Sequence, residues 1–270
     1  MDYTLTEINI YPIKSLGGIN LNEAVVTDRG LKYDRRWMLV DANGKFLTQR
    51  EFPQMSLIKV NINKHTIHFS HKLKNDLKFS VPIETYNDEQ NGVIIWNDAV
   101  NATYVSKEAD MWFSDALEIK CRLVYMSDES KRFVDSKYAA NNEIVSFADA
   151  YPFLVIGQSS LDDLNSRLNE KVLMNRFRPN FVFSGGEPFD EDRMKSFKLG
   201  DVTFYPVKPC ARCVVTTVNQ ETGVKGKEPL TTLASYRTQN NKVMFGQNLL
   251  HDGNGIVKTG MSLESIKWKD

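Results

Sequence analysis

Along the first hundred residues apolar and polar side chains alternate in short runs, most clearly at residues 5–10 and 21–26. A period of two sends successive side chains to opposite faces of a strand, and neither run carries a helix cap. Further extended runs fall at 36–40, 55–62, 65–70, 77–81 and 93–96. The run at 36–40 meets Asp41-Ala42-Asn43-Gly44 and returns through Phe46 and Leu47, which predicts a hairpin, since Asn-Gly tolerates the positive φ of a tight turn. So many short strands, with little helix to cover them, have to close on one another as a barrel or sandwich.

Helical spacing appears at 107–117, where Ala109, Met111, Trp112, Phe113 and Ala116 make an apolar face behind Ser106. It returns after Ser159 and Ser160, which precede Asp162 and Asp163 in capping-box spacing, with Leu161, Leu164 and Leu168 on one face. That pattern predicts a helix running to about residue 171. Strands at 180–184, 202–207 and 214–218 and a short helix near 230–237 complete the reading. No internal repeat is visible, and the polar stretch 127–142 is the best candidate for a boundary or mobile loop.

Composition narrows the class. The 270 residues are 41% hydrophobic and 25% charged, enough apolar material for one large or two modest cores. Lys plus Arg balance Asp plus Glu at 34 each, so the overall field draws in no polyanion and a nucleic-acid polymer is not the expected partner. No apolar run reaches the roughly 18 to 20 residues that span a bilayer, and residues 1–11 lack the basic and apolar regions of a signal peptide. The expectation is a soluble, cytoplasmic protein. Cys121, Cys210 and Cys213 are too few for a disulfide framework, so reduced thiols are expected.

Candidate chemistry concentrates in Lys208-Pro209-Cys210-Ala211-Arg212-Cys213. Structural zinc takes four Cys or His ligands, and no second pair lies at suitable spacing. A redox dithiol wants a helix N-terminus, whereas the β-branched stretch 214–218 reads as a strand. Two small buried residues in an inter-strand loop remain an open alternative. Against it stand Arg212 and Lys208, cations that favour a thiolate at Cys213 or Cys210. A soft thiolate in a positive pocket suits a soft or high-valent metal delivered by an anionic organic ligand.

Three further segments look built for an anion. Lys14-Ser15-Leu16-Gly17-Gly18 ends the first strand like a phosphate-cradling turn without the Walker spacing. Asp34-Arg35-Arg36-Trp37 opens the 36–40 strand, though taken singly it is better accounted for by a surface ion pair with Asp34. Arg176-Phe177-Arg178-Pro179-Asn180 enters another strand, and Pro179 predicts extended geometry for Arg178. Guanidinium planes clamp phosphate bidentately, so the three motifs together say more than any one.

Taken in order, Tyr11-Pro12-Ile13-Lys14-Ser15, Asp34-Arg35-Arg36-Trp37, Phe177-Arg178-Pro179-Asn180, Cys210-Ala211-Arg212-Cys213 with Thr216-Thr217-Val218, and Phe245-Gly246-Gln247 are similar to MOSC-domain proteins carrying the MOSC N-terminal β-barrel region, notably the amidoxime-reducing group, mitochondrial and bacterial. The likeness runs over essentially the whole chain. It implies a mixed α/β, mainly β fold with a few helices. A strand-rich N-terminal domain would span 1–125 and a MOSC β-barrel 126–270, with the first 35 residues or so contributing to the cofactor site.

The resemblance also implies a molybdenum cofactor, in which a pterin dithiolene holds the metal and a protein cysteine supplies a further sulfur. By motif that cysteine is Cys213, with Cys210 a neighbour of unassigned role. Lys14, Ser15, Arg35 and Arg178 would hold the pterin phosphate and ring, Ala211 and Arg212 would line the site, and main chain around Ala150 and Tyr151 would contribute. Asn248 stands where the family has a Tyr, so that phenol's contact does not carry over. Asp149 is the carboxylate placed to handle protons, or else a turn residue.

The implied activity is reduction of N-hydroxylated small molecules (amidoximes, hydroxylamines, N-hydroxylated bases). Electrons would come from a separate redox protein of reductase, flavodoxin, ferredoxin or cytochrome type, because no cysteine follows Cys213 to build an appended iron–sulfur domain. A monomer free of the membrane is expected. The alternatives are a molybdenum cofactor carrier and a sulfur-transfer protein in which Cys213 carries a persulfide.

Overall fold

The strand Phe153–Gly157 is buried at every position. Phe153 and Val155 enter one apolar cluster with Leu5, Ile8, Phe181, Phe183, Phe197 and Phe204, while Leu154 and Ile156 enter another with Leu161, Leu164, Val182 and Phe245. A strand with core on both faces loses the polar alternation that marks an exposed sheet. Phe153, Phe181 and Phe204 meet one another at centroid distances of 5.2–5.5 Å, edge-on or offset as aromatic quadrupoles prefer.

The computed structural model describes residues 2–83, 89–139 and 141–269. Its largest sheet has nine strands. Eight run in the order Glu264–Trp268, Met194–Leu199, Val202–Ala211, Lys242–Asp252, Phe153–Gly157, Phe181–Ser184, Thr4–Ile10 and Ile19–Leu21, and Thr238–Gln239 pairs with Lys242–Asp252. Phe153–Gly157 and Phe181–Ser184 run parallel, which requires a crossover, and helix Gln158–Ser166 lies within it. The first strand pairs with Phe181–Ser184, so the chain's beginning belongs to the same sheet as its end.

A four-stranded sheet, Trp37–Val40, Arg122–Tyr125, Asp98–Tyr104 and Gln90–Ile95, and a three-stranded meander, Ile58–Ile62, Thr66–His71 and Lys78–Pro82, make up most of the remaining N-terminal half. Helix Lys107–Leu117 packs Ala109, Phe113, Ala116 and Leu117 into the cluster containing Trp37, Ile58 and Phe69. Its boundaries match the sequence reading, and Ser106 caps it by accepting from the amide of Ala109.

Several local expectations are corrected. The second helix ends at Ser166 rather than near 171, because the Asn165 side chain bonds both the amide and the carbonyl of Val172 and folds the chain back. Ser159 and Ser160 do not form a capping box: the cap is Gly157, and the hydroxyls instead donate to the Glu187 carbonyl and the Glu191 carboxylate. The stretch 214–218 is not a strand but a 3₁₀ turn, Val214–Thr217. Thr216 and Thr217 donate their hydroxyls to the carbonyls of Cys213 and Val214, and such back-bonding competes with a ladder. The expectation of a boundary or mobile loop in the polar stretch after Met126 is not among those corrected; Arg29 donates there to the carbonyls of Ser127, Asp128 and Ser130, and Arg132 donates to those of Ser146, Ala148 and Asp149 beyond it.

Candidate functional site

One cleft gathers residues from seven separate stretches of the chain, among them Lys14, Ser15, Arg35, Asp149, Ala150, Tyr151, Arg178, Ala211, Arg212, Cys213 and Asn248. These are all the site residues singled out from sequence. Strand register explains part of the convergence: Asn248 pairs with Leu154 on one side and Lys208 on the other, which sets the Cys210 segment beside the chain entering Phe153–Gly157.

Six cationic side chains, Lys14, Arg35, Arg50, Arg176, Arg178 and Arg212, line the cleft against one carboxylate, Asp149, among the described residues. Lys14 is buried, and its Nζ donates to the Phe147 carbonyl at 2.9 Å and to Asp149 Oδ1 at 2.6 Å. Burial lowers Lys14 from its ordinary 10.5 to about 8, with Asp149 pulling the other way. Partial desolvation within the cleft would by itself raise the Asp149 carboxyl, although its side chain is exposed toward the cleft mouth, but the attraction of Lys14, Arg50 and Arg35 outweighs it and holds the group well below the usual carboxylate range. The proton of this pair therefore sits on Lys14 at neutral pH, and Asp149, expected from sequence to handle protons, is an ionised acceptor.

Arg35 is not part of a surface ion pair. Its Nη1 donates at 2.7 Å to Asp34, which is itself buried and accepts the Tyr11 amide at 2.8 Å. The guanidinium carbons of Arg35 and Arg178 lie 4.3 and 4.2 Å from the centroid of the buried Tyr11 ring. Arg178 also departs from expectation, with φ +56° rather than the extended geometry Pro179 favours. That left-handed turn lets its Nη1 donate to the Leu16 carbonyl at 2.7 Å. Ser15 and Arg35 are left-handed too, at φ +67° and +49°. Three non-glycine residues strained at one cleft, about 1 kcal/mol or more each, mark a geometry the surrounding packing enforces.

Gly17 and Gly18 do not cradle an anion in this cleft. A Cβ at Gly17 would lie 2.8 Å from the Ile58 carbonyl, and one at Gly18 would lie 2.5 Å from the Tyr11 ring, so both permit close packing behind the site.

Arg212 donates Nε to the Phe245 carbonyl and Nη1 to the Phe177 carbonyl, while its buried Nη2 has no partner among the described residues. Burial pushes the Cys210 thiol up. Cys213 is partly exposed, and its Sγ accepts from Arg50 Nε at 3.2 Å. The Tyr151 ring is committed to a cluster with Val134, Val145 and Leu250. Asn248 donates to the Lys208 carbonyl at 3.2 Å.

Sequence reasoning passed over Thr48, Arg50, Arg176 and Asn180 as site residues. Arg176 and Asn180 lay inside a motif already noted, and Asn180 proves central: its Oδ1 accepts from Arg35 Nη1 and from the Leu154 amide. Thr48 and Arg50 sit in a loop without a recognisable local pattern.

The donor set suits an anionic organic group bearing a phosphate, with a soft metal beside Cys213. It offers surplus positive charge, an orphaned guanidinium N–H and an accessible sulfur.

Fold and site together define a mainly β protein in which segments from the N-terminal and C-terminal halves share a cationic, thiol-bearing cleft. Residues 2–120 match the MOSC N-terminal beta barrel domain and residues 142–264 the MOSC domain, and the chain belongs to the MOSC family. It is 33% identical to mitochondrial amidoxime-reducing component 1 of Mus musculus, over 95% of this chain and 80% of that one. It is 34% identical to mitochondrial amidoxime reducing component 2 of Rattus norvegicus, over 87% and 72%. Identity to the molybdenum cofactor sulfurase of Solanum lycopersicum is 33% over 93% of this chain, which spans only 33% of that protein's length. Among the described residues no helix is long and apolar enough to cross a membrane.

Proposed function

We propose that the chain is a molybdenum-cofactor-dependent reductase of N-hydroxylated small molecules, drawing electrons from a separate redox protein. The supporting observation is the partly exposed Cys213 sulfur in a cleft whose cations come from both halves of the chain. Relatives named for amidoxime reduction align with most of it.

Lys14, Arg35, Arg178 and the free Nη2 of Arg212 would hold the phosphate and pterin, and Cys213 would ligate the metal. When bound, the cofactor supplies the two electrons that, with two protons, convert N–OH to N–H and water. Lys14 holds a proton near neutrality at the cleft wall, and Asp149 keeps that ammonium oriented. The protein expressed in a molybdate-fed host should contain molybdenum and reduce benzamidoxime with an artificial donor, and Cys213→Ala should abolish turnover with the fold retained. Full activity in that variant overturns the ligand assignment.

A second reading draws on the relatives named molybdenum cofactor sulfurase, in which Cys213 would carry a persulfide. Intact-mass detection of one extra sulfur at Cys213, with no molybdenum by elemental analysis, would favour it over the reductase.

A further inference from the structure

Arg50 differs from the other cations of the cleft. Lys14, Arg35, Arg178 and Arg212 spend their protein hydrogen bonds on carbonyls, carboxylates and an amide oxygen. Arg50 instead aims Nε at the Cys213 sulfur, 3.2 Å away and 163 positions distant in sequence. Its guanidinium lies 4.2 Å from the centroid of the Trp96 ring, and Nη2 stands 3.9 Å from Asp149 Oδ2. Its main-chain carbonyl accepts from Lys225 Nζ. Trp96 is fixed in turn by an edge-on contact with Phe46 at 4.9 Å and follows the strand Gln90–Ile95, so the four-stranded sheet reaches across to the cysteine.

We propose that Arg50, held over the Trp96 ring, is a positioning residue that orients the Cys213 sulfur and withdraws charge from it. The inference rests on Cys213 being the metal's protein ligand. A donor on a ligand sulfur weakens its donation to the metal and favours the reduced state, so it raises the midpoint potential. Lysine cannot substitute. Its single terminal ammonium cannot lie on the Trp96 face while presenting an N–H from partway along the chain.

The test uses the full chain loaded with molybdenum, comparing wild type, Arg50→Lys, Arg50→Ala and Trp96→Ala by metal content, melting temperature and EPR-monitored redox titration. Arg50→Lys keeps the positive charge beside Asp149 and carries the comparison if Arg50→Ala does not fold. The expected result for Arg50→Lys is a lower potential and an altered EPR spectrum at wild-type melting. A loss of molybdenum affinity of about ten-fold or more, the scale seen when support of a ligand is removed, would equally support the proposal. Trp96→Ala should shift the potential in the same direction by less, and an unchanged potential there removes Trp96 from the device. A wild-type potential and spectrum in fully loaded Arg50→Lys overturns the role of Arg50. Wild-type protein that takes up no molybdenum would instead overturn the reading of the site itself.

Discussion

Lys14 and Asp149, 135 positions apart, are joined by a 2.6 Å ion pair in which the lysine is buried and the carboxylate faces the open cleft, its side chain 66% exposed. The asymmetry decides their roles. The ammonium is costly to bury and keeps its proton largely because of Asp149 and the Phe147 carbonyl, while the ionised carboxylate remains reachable from the cleft.

Anion binding should therefore weaken as pH rises through about 8, where burial has brought Lys14. Below that pH the ammonium is present, and above it the cleft loses one cation. Asp149→Asn removes the attraction that holds the proton, so the fall should move to lower pH, while binding at pH 6 is at least as tight because a negative charge has gone. Molybdenum retained after dialysis across a pH series measures both effects. An unmoved midpoint in the Asn variant would sink the account.

Tyr11 should act through the two guanidiniums against its ring. Tyr11→Phe keeps the ring and loses only the bond from the phenol to the Pro179 carbonyl, a cost of about 1 kcal/mol. Tyr11→Leu removes both cation–π contacts, and retention of a phosphate-bearing cofactor should drop about ten-fold. Equal cofactor affinity in the Phe and Leu variants would show that the ring does not position the arginines.

Gly246, within strand Lys242–Asp252, has φ +79°, and a Cβ there would lie 2.6 Å from Ile156 Cγ1 and 2.8 Å from the Val155 carbonyl. Gly246→Ala combines left-handed strain with overpacking and should cost about 2–4 kcal/mol, read as a lower denaturant midpoint. A shift under about 0.5 kcal/mol would mean that neighbouring strands separate easily, contrary to the buried Phe245 and Gln247 on either side.

The sequence carries the site's local parts well and their assembly poorly. Helix Lys107–Leu117 was legible because an N-cap serine and an apolar stripe coincide within a dozen residues. Lys14, Arg35, Arg178 and Cys213 were legible because each sits in a short motif. Arg50 was not, since its meaning is a contact 163 positions away and nothing in Thr48-Gln49-Arg50 announces it. The left-handed Arg178 ran against the local bias of the residue before proline, and tertiary bonds to Leu16 and Tyr11 overrode that bias. Ser160 gave a false capping signal for a related reason: its hydroxyl is engaged by Glu191 and by the amide of Phe189.

Glu191 supplies the last prediction. It is fully buried behind Gly157, accepts from Ser160 Oγ at 2.8 Å through Oε2, and leaves Oε1 without a partner among the described residues. Burial first, and the neighbouring Asp192 second, raise its carboxyl from the ordinary 4.5 to about 7. The folded protein thus binds a proton more tightly than the unfolded chain, so this contribution to stability is complete below about 4.5, declines between there and 7, and is gone above. Such a gap corresponds to roughly 3 kcal/mol. Glu191→Gln mimics the protonated side chain and should abolish that decline, leaving the variant as stable as wild type near pH 4.5 and more stable near pH 8. Urea midpoints at the two pH values provide the measurement, and parallel pH profiles for the two proteins would show that Glu191 is not the group responsible.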